Sequence, residues 1–201
     1  MTVNALSAFR EPGKYLNGIG SMEFSNIVKG RRSIRKYQGQ SIPDSEVEIL
    51  VDLARHAPSS MNGQPWHFVI VRNGKSKAAL AEIKNRFCPP EKQAYQADFL
   101  RAAPLIIVIC VEKSRSFGRE IENGILAAST IMLGAQSRGL GSVYMSAYLS
   151  EEPKLAEAIQ KELGIPETFA PISILPLGYA DEIPKPKELR ALREIIHFER
   201  F

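Results

Sequence analysis

Two short polar stretches of the chain carry side chains whose types and spacing could do chemistry. The first, RRSIRK, places four cations in six residues, from Arg31 to Lys36, with Ser33 among them. Guanidinium groups match the oxygen geometry of a phosphate, and a serine hydroxyl and backbone N–H at a chain turn would add donors. The cluster alone is compatible with a phosphate clamp, a solvated helix face or a nucleic-acid patch.

The second stretch, PSSMNGQPW, combines small residues with hydrogen-bonding side chains. Ser60, Asn62 and Gln64 supply donors and acceptors beside neighbours short enough to let a flat ring approach. An ordinary helix-to-strand loop would explain Trp66 as a core residue, but it would not explain so many small polar neighbours. This stretch therefore favours a binding loop and strengthens the phosphate interpretation of the first.

Other chemical motifs are missing from the sequence. The three histidines stand apart from one another and from acidic or cysteine partners at ligand spacing, so no metal site is predicted. The stretch GLGSVY starts like a dinucleotide fingerprint, but it lacks the third glycine and precedes a strand. Neither a P-loop nor a G-x-S-x-G nucleophile motif occurs.

Composition and charge narrow the class of protein. The 26 basic and 22 acidic residues give a net charge of +4, and both signs are spread along all 201 residues, which argues against a dedicated nucleic-acid binder. Cys88 and Cys110 form no C-x-x-C motif, so a reduced, cytoplasmic protein is expected. No signal peptide or membrane span is predicted. The length predicts one domain, residues 22–201, after a loosely ordered extension, residues 1–21.

Helices and strands must position the two polar stretches. Apolar residues at helical spacing predict a helix that starts near Phe24 and helices over residues 41–57, 76–87, 120–137 and 150–163. Ser45 and Glu48 have capping-box spacing in the second helix, and Ser150 is the predicted cap of the last. Apolar runs predict strands over residues 67–71, 104–111, 142–149 and 171–180, with Asn73-Gly74 as a turn. The class is therefore α+β or mixed α/β.

Two of these segments carry a further expectation. The run over residues 104–111 is too uniformly apolar to have a wet face, so it is predicted to lie centrally in a sheet covered on both sides. The helix over residues 120–137 is apolar nearly all round, which predicts burial in the domain centre or in a subunit interface.

In their order, these pieces resemble the FMN-dependent nitroreductase family. The resemblance is carried by RRSIRKY, APSSMNGQPWHFVIV, APLIIVIC, GLGSVYMSAY and PLGYADEIPKPK, and it covers about residues 22–190. It implies an α+β fold with a central, mostly antiparallel sheet flanked by helices. It also implies a homodimer in which the C-terminal tails are exchanged between subunits.

The resemblance also implies a bound FMN and the residues that hold it. The phosphate and the polar edge of the flavin would be held by Arg31, Arg32, Ser33 and Arg35. The flavin or ribityl chain would be contacted, from the other subunit, by Ser60, Asn62 and Gln64. Backbone contacts to the ring fall on Ser146 and Ala147, and a basic pair near the C-terminus falls on Lys185 and Lys187.

The implied activity is electron transfer from NADH or NADPH to a nitroaromatic, quinone or similar small acceptor by a ping-pong mechanism. The flavin supplies the redox chemistry while cations and backbone N–H groups stabilise its negative charge, so no side chain is predicted to be catalytic. Residues 91–101, with Tyr95 and Phe99, would cover the acceptor site. Tyr144 stands where tryptophan is common in the family and Ser146 where some members have glutamate, so the substrate preference stays open.

Several other functions stay open at this stage. The same fold could belong to an FMN-binding protein for storage or sensing, a reductive dehalogenase or a flavin-cleaving enzyme. A nucleic-acid binder is less well supported, because no exposed aromatic platform accompanies the basic cluster.

Overall fold

The structure is a computed structural model that describes residues 23–89, 96–149 and 152–201. Within these ranges one sheet forms, from β1 (Trp66–Val71), β2 (Leu105–Glu112), β3 (Gly141–Ser142), β4 (Met145–Ser146) and β5 (Phe169–Gly178). The order across the sheet is β1–β2–β5–β3, β4 pairs with β5 as well, and each of these pairings is antiparallel. The antiparallel sheet confirms the predicted α+β class.

The described helices cover both faces of this sheet. They are α1 (Phe24–Gly30), α2 (Asp44–Ala54), α3 (Gly74–Arg86), α4 (Phe99–Ala102), α5 (Lys113–Ser116), α6 (Glu120–Ser137) and α7 (Lys154–Leu163). The core between α2, α6 and the sheet contains Leu50, Ile131 and their neighbours. The core on the other face contains residues of α3, α4 and α7, such as Leu80, Leu100 and Leu155. The fold is therefore a central sheet between two helical layers.

Strand β2 shows why its sequence is apolar without alternation. Its odd-numbered residues from Leu105 to Val111 pack in the core beside α2 and α6, and the even-numbered residues from Ile106 to Cys110 pack in the core on the opposite face. Both faces are dry over residues 105–111, which accounts for the absence of polar side chains there. The prediction of a central strand is confirmed, and burial raises the pKa of the Cys110 thiol to about 12.

Helix α6 is confirmed as apolar on nearly every side. Small residues face the sheet, and a Cβ added to Gly124 would lie 2.5 Å from the side chain of Ile172, so helix and strand approach closely. On another side, Ile121, Ile125 and Leu126 are each 38–40% exposed. Packing against the other described residues therefore buries some sides of α6 and leaves this apolar side partly exposed.

Some predicted boundaries are wrong. Helix α2 begins at Asp44 with Pro43 as its N-cap and no side-chain cap, because Ser45 already lies inside the helix; the capping box with Glu48 does not form. Asn73 and Gly74 do not form the predicted turn after β1, because α3 begins at Gly74. The Asn73 side-chain oxygen accepts hydrogen bonds from the backbone N–H groups of Lys75 and Ser76, and Asn73 thereby caps α3.

The predicted strand over residues 142–149 is also wrong in extent. The chain forms β3 and β4, two residues each, because both pair with β5 but the residues between them do not. Helix α7 begins after Pro153 and ends at Gly164, whose φ of 65° is the left-handed conformation expected of a terminating glycine. The predicted cap Ser150 lies outside the described residues.

Two predicted segments fall wholly or partly outside the described ranges. These are the extension over residues 1–21 and residues 91–95 of the predicted lid. Of that lid, Phe99 and Leu100 lie in α4, where Leu100 is fully buried and Phe99 packs against the same core. The role of the segment as a lid stays a prediction.

The C-terminal tail lies on the surface of the described chain. After β5 the described chain forms one short 3-10 turn, Leu192–Glu194. Ile183, Leu189, Phe198 and Phe201 are all more than three-quarters exposed, at 98%, 76%, 86% and 107%. None of the helices in the described ranges is long and apolar enough to cross a membrane.

Candidate functional site

The basic segment, residues 31–36, lies along the edge of the sheet directly after α1. Ser33 forms a parallel bridge with Ser142 of β3, and the backbone N–H of Ile34 donates to the Ser142 carbonyl at 3.1 Å. Ile34 is buried, and a Cβ on Gly141 would lie 2.8 Å from its side chain. Burial of Ile34 therefore fixes the segment, while Ser33 and Arg35 are exposed.

The cations of this segment are not equivalent. The Arg32 guanidinium donates through Nη1 to the carbonyls of Lys29 at 2.6 Å and Arg31 at 3.0 Å. This Nη1 group thus binds carbonyls that have no hydrogen-bond partner inside the helix, because they lie at the end of α1. Arg31 is half-buried, and within the described residues its guanidinium has no hydrogen-bond or ion-pair partner. Arg31 is therefore better placed than Arg32 to bind an anion.

The start of the tail reaches the basic segment. A carboxylate oxygen of Glu182 accepts hydrogen bonds from the backbone N–H groups of Arg35 and Lys36, the latter at 3.0 Å. Lys185 follows Glu182 by three residues, which is at most about 10 Å of extended chain. Lys185 and Lys187 are both exposed. The start of the tail therefore reaches the sheet edge that carries the predicted phosphate-binding residues, and Lys185 follows it closely in the chain.

The polar loop, residues 59–64, connects α2 to β1 and has an unusual backbone. Met61, Asn62 and Gln64 have φ angles of 49°, 54° and 47°. L-residues are disfavoured in this left-handed region, and such conformations persist only where the surroundings enforce them. Asn62 and Gln64 are exposed, and the Gln64 amide donates to Asn62 Oδ1 at 3.2 Å.

Contacts from α5 and α6 enforce the loop conformation. The backbone N–H of Ser60 donates to Asn123 Oδ1 at 2.9 Å, and Arg115 Nε donates to the Gly63 carbonyl at 2.9 Å. The packing is so close that a Cβ on Gly63 would lie 2.1 Å from the Arg115 carbonyl oxygen, so only glycine fits. Sequence reasoning missed Asn123, although an amide among the apolar residues of this helix was a signal that it has a partner.

Ser146 ends β4 and lines a pocket of about 300 Å³, whereas Ala147 follows β4 and is fully buried. The pocket lining is mostly apolar, with Phe87, Met145 and Leu149, and with the ammonium of Lys84 donating to the Ser146 carbonyl at 2.8 Å. The N–H of Ala147 donates to the Ile172 carbonyl at 2.9 Å. A backbone contact between Ala147 and a ligand would therefore use its carbonyl.

Tyr144 also lines this pocket. Its pKa is raised to about 12, chiefly by burial, with a smaller contribution from the neighbouring Tyr148. The phenol is therefore neutral at physiological pH and can act as a hydrogen-bond donor. A cavity of this size, mostly apolar with a few polar groups, is typical of sites for small molecules.

The basic segment and the polar loop lie at opposite ends of α6. Asn123, near the start of α6, holds the loop, whereas the Cβ position of Gly30, next to the basic segment, lies 3.5 Å from the Gln136 side chain. Gln136 follows Asn123 by thirteen positions in the helix, a rise of about 20 Å at 1.5 Å per residue. Within one chain the polar loop and the basic segment are therefore anchored at opposite ends of α6.

Comparison with known proteins identifies the family. A model of the nitroreductase family matches residues 28–179. The chain belongs to the nitroreductase family. It is 34% identical over 173 residues to a protein of Methanothermobacter thermautotrophicus whose name assigns it provisionally as an NADH dehydrogenase/NAD(P)H nitroreductase, with 85% of this chain and 84% of that one covered. An iodotyrosine deiodinase of Thermotoga neapolitana is 28% identical, with 81% and 90% covered.

Solved structures confirm the nitroreductase fold. An FMN-dependent nitroreductase from Clostridium difficile R20291 superposes with a TM-score of 0.77 at 28% identity, covering 88% of this chain and 99% of that one. An iodotyrosine deiodinase bound to FMN and 3-iodo-L-tyrosine superposes with a TM-score of 0.73 at 27% identity, covering 89% and 99%. The family resemblance predicted from the sequence motifs is thus confirmed.

Proposed function

We propose that this protein is an FMN-dependent oxidoreductase that transfers electrons from NADH or NADPH to a small acceptor, such as a nitroaromatic or a quinone. The observation that carries the proposal is the assembly of the basic segment and the start of the tail at one sheet edge, in a chain of the nitroreductase family. The names of the similar proteins, which include NAD(P)H nitroreductases and an FMN-dependent enzyme, support the cofactor and the electron donor.

The residues present fit a flat ring with a phosphate tail. The guanidiniums of Arg31 and Arg35, with Ser33, provide the donors that a terminal phosphate requires, and Arg32 contributes less because it also binds the end of α1. Lys185 and Lys187 would add positive charge. When bound, FMN would supply the redox chemistry, because no amino-acid side chain can accept a hydride.

The polar loop would bind the ring from a second protomer. The basic segment and the loop are anchored at opposite ends of α6, which supports a flavin that contacts the basic segment of one subunit and the loop of the other. The exposed apolar residues of α6 and the exposed apolar tail supply surface for such a dimer. We therefore propose a homodimer whose two sites are each built from both chains, with the tails exchanged between them.

The chain's own groups would bind, orient and shield the reactants. Ser60, Asn62 and Gln64 would hold polar ring or ribityl atoms, while the backbone at Ser146 and Ala147 would contact the ring edge. Cations near the ring would stabilise its negative charge, since fixed charges in a partly dry site lower the cost of developing charge. The pocket beside Tyr144 and Leu149 would admit an apolar acceptor ring.

A second candidate is reductive dehalogenation of an aromatic substrate. It is favoured by the similarity to iodotyrosine deiodinases, which is nearly as high as the similarity to the FMN-dependent nitroreductase. The two candidates share FMN and differ in the acceptor.

The visible spectrum of the purified protein tests the proposal. We expect flavin absorption bands that disappear when NADH or NADPH is added without oxygen and return when a nitroaromatic or quinone is added. Recovery with 3-iodotyrosine and release of iodide would favour the dehalogenase instead. A protein that binds no flavin would refute both, and bound flavin that neither nucleotide reduces would indicate a storage or sensing protein.

A further inference from the structure

Asn123 is a buried polar residue that joins three separate segments. It is 1% exposed and lies near the start of the mostly apolar α6. Its side-chain oxygen accepts from the N–H of Ser60 at 2.9 Å, and its side-chain nitrogen donates to the Ser116 carbonyl at 3.2 Å. Its backbone carbonyl accepts from the Trp66 indole N–H at 2.9 Å. Both polar atoms of this side chain are therefore satisfied.

The polar loop depends on such external contacts. Three of its six residues, Met61, Asn62 and Gln64, have positive φ angles, which are unfavourable for the Met61 and Gln64 side chains. Inside the loop, the Gln64 N–H donates to the Ser59 hydroxyl at 3.0 Å. The contacts from Asn123 and Arg115 act on the loop backbone from outside.

These two contacts leave the exposed part of the loop available to a ligand. Met61 is 80% exposed, and Asn62 and Gln64 are also exposed, so the loop is held at its base and presents its tip to the surroundings. Packing alone would be served by an apolar residue at position 123, since a buried amide costs free energy unless its groups are paired. Holding exposed polar groups in place before a ligand arrives lowers the entropy lost on binding.

We propose that Asn123 and Arg115 are positioning residues, which hold the polar loop in the conformation that presents Asn62 and Gln64 to the flavin. This inference rests on the proposed function for the identity of the ligand. Neither residue needs to touch the flavin. Asn123 acts through the backbone N–H of Ser60, and Arg115 acts through the carbonyl of Gly63.

The first experiment compares Asn123→Ala with Leu155→Ala in the flavin-loaded protein. Leu155 is fully buried in α7 on the opposite face of the sheet, so its truncation destabilises the fold without touching the loop. We expect Asn123→Ala to weaken FMN binding about tenfold, the effect of one hydrogen bond. Release of FMN on dilution, followed by flavin fluorescence, gives the affinity, and thermal unfolding gives the stability of both variants. Equal FMN affinity in the two variants would overturn the inference.

Arg115 provides a test that does not endanger folding. Arg115 is exposed, so Arg115→Ala should leave the melting temperature nearly unchanged while it weakens FMN binding about threefold to tenfold. Arg115→Lys, which retains a donor, should restore part of the affinity. FMN affinity that is unchanged in Arg115→Ala would count against the role of this contact.

Amide hydrogen exchange separates this inference from the proposed function. The Ser60 N–H should exchange slowly in the unmodified protein and much faster in Asn123→Ala, because it loses its acceptor. Fast exchange with unchanged FMN affinity would overturn the positioning role and leave the flavoprotein proposal intact. If the unmodified protein binds no FMN, the proposed function fails, and faster Ser60 exchange in Asn123→Ala than in the unmodified protein would still show that Asn123 holds the loop.

Discussion

Replacement of Arg31 by alanine tests whether the basic segment binds a phosphate. Within the described residues the Arg31 guanidinium has no hydrogen-bond or ion-pair partner, so its loss should change the free energy of unfolding by no more than about 0.5 kcal/mol. A hydrogen bond to a charged group contributes about 1.5–3 kcal/mol. Arg31→Ala should therefore raise the dissociation constant of FMN about 10- to 150-fold. Arg32→Ala should have a smaller effect on FMN and a larger one on stability, because Arg32 also binds the end of α1.

Flavin-fluorescence titration with FMN and with riboflavin measures this effect. Riboflavin lacks the phosphate, so it should bind the unmodified protein weakly and lose little affinity in Arg31→Ala. Lys161→Ala, which removes an exposed cation from α7, controls for the change in net charge. If neither Arg31→Ala nor Arg35→Ala changes FMN affinity, the basic segment is a solvated surface and the phosphate assignment is wrong.

Three further results are expected. Ile125→Asp, at an exposed apolar site of α6, should leave the protomer folded but shift sedimentation towards the monomer; an unchanged dimer would exclude α6 from the interface. Glu46→Gln should cost about 1 kcal/mol at pH 7, since Glu46 and Arg138 form an ion pair between α2 and α6 with both side chains only about a quarter exposed. The hydrogen bond from Arg138 lowers the pKa of Glu46, so this stability is present above the ordinary glutamate pKa and is lost as pH falls through the lowered one; melting curves of the two proteins should converge there. Cys110, buried and with its pKa raised to about 12, should resist iodoacetamide at pH 8 until the protein unfolds, and labelling in the native state would contradict its placement in β2.

A site shared between protomers makes cofactor binding depend on assembly. Because the basic segment and the polar loop come from different chains in the proposed dimer, a variant that separates the protomers should lose FMN even if every site residue is intact. Ile125→Asp therefore offers a second readout, in which flavin release should accompany the appearance of monomer. Retention of flavin by a folded monomer would contradict the two-chain site.

The sequence by itself determined the family and the chemical character of the two polar groups. The uniformly apolar run in β2 predicted a central strand, since only a strand covered on both faces has no polar position. The basic cluster indicated a phosphate site and the small polar loop indicated a site for a flat ring. Each signal consists of neighbouring residues in the chain, so the sequence shows it directly. The order of these pieces along the chain predicted the family, and the comparisons confirm the family.

Only the tertiary structure decided how these pieces are placed. Asn123 lies 63 residues from Ser60, and no local sequence pattern could show that its side-chain oxygen accepts a hydrogen bond from the Ser60 N–H. The split of the predicted strand into β3 and β4 was set by pairing with β5, more than 25 residues later in the chain. The separation of the polar loop from the basic segment likewise follows from the length and packing of α6. The periodicity of apolar residues predicts which positions are buried. The residues that bury them come from distant parts of the chain, so only the tertiary structure identifies those residues.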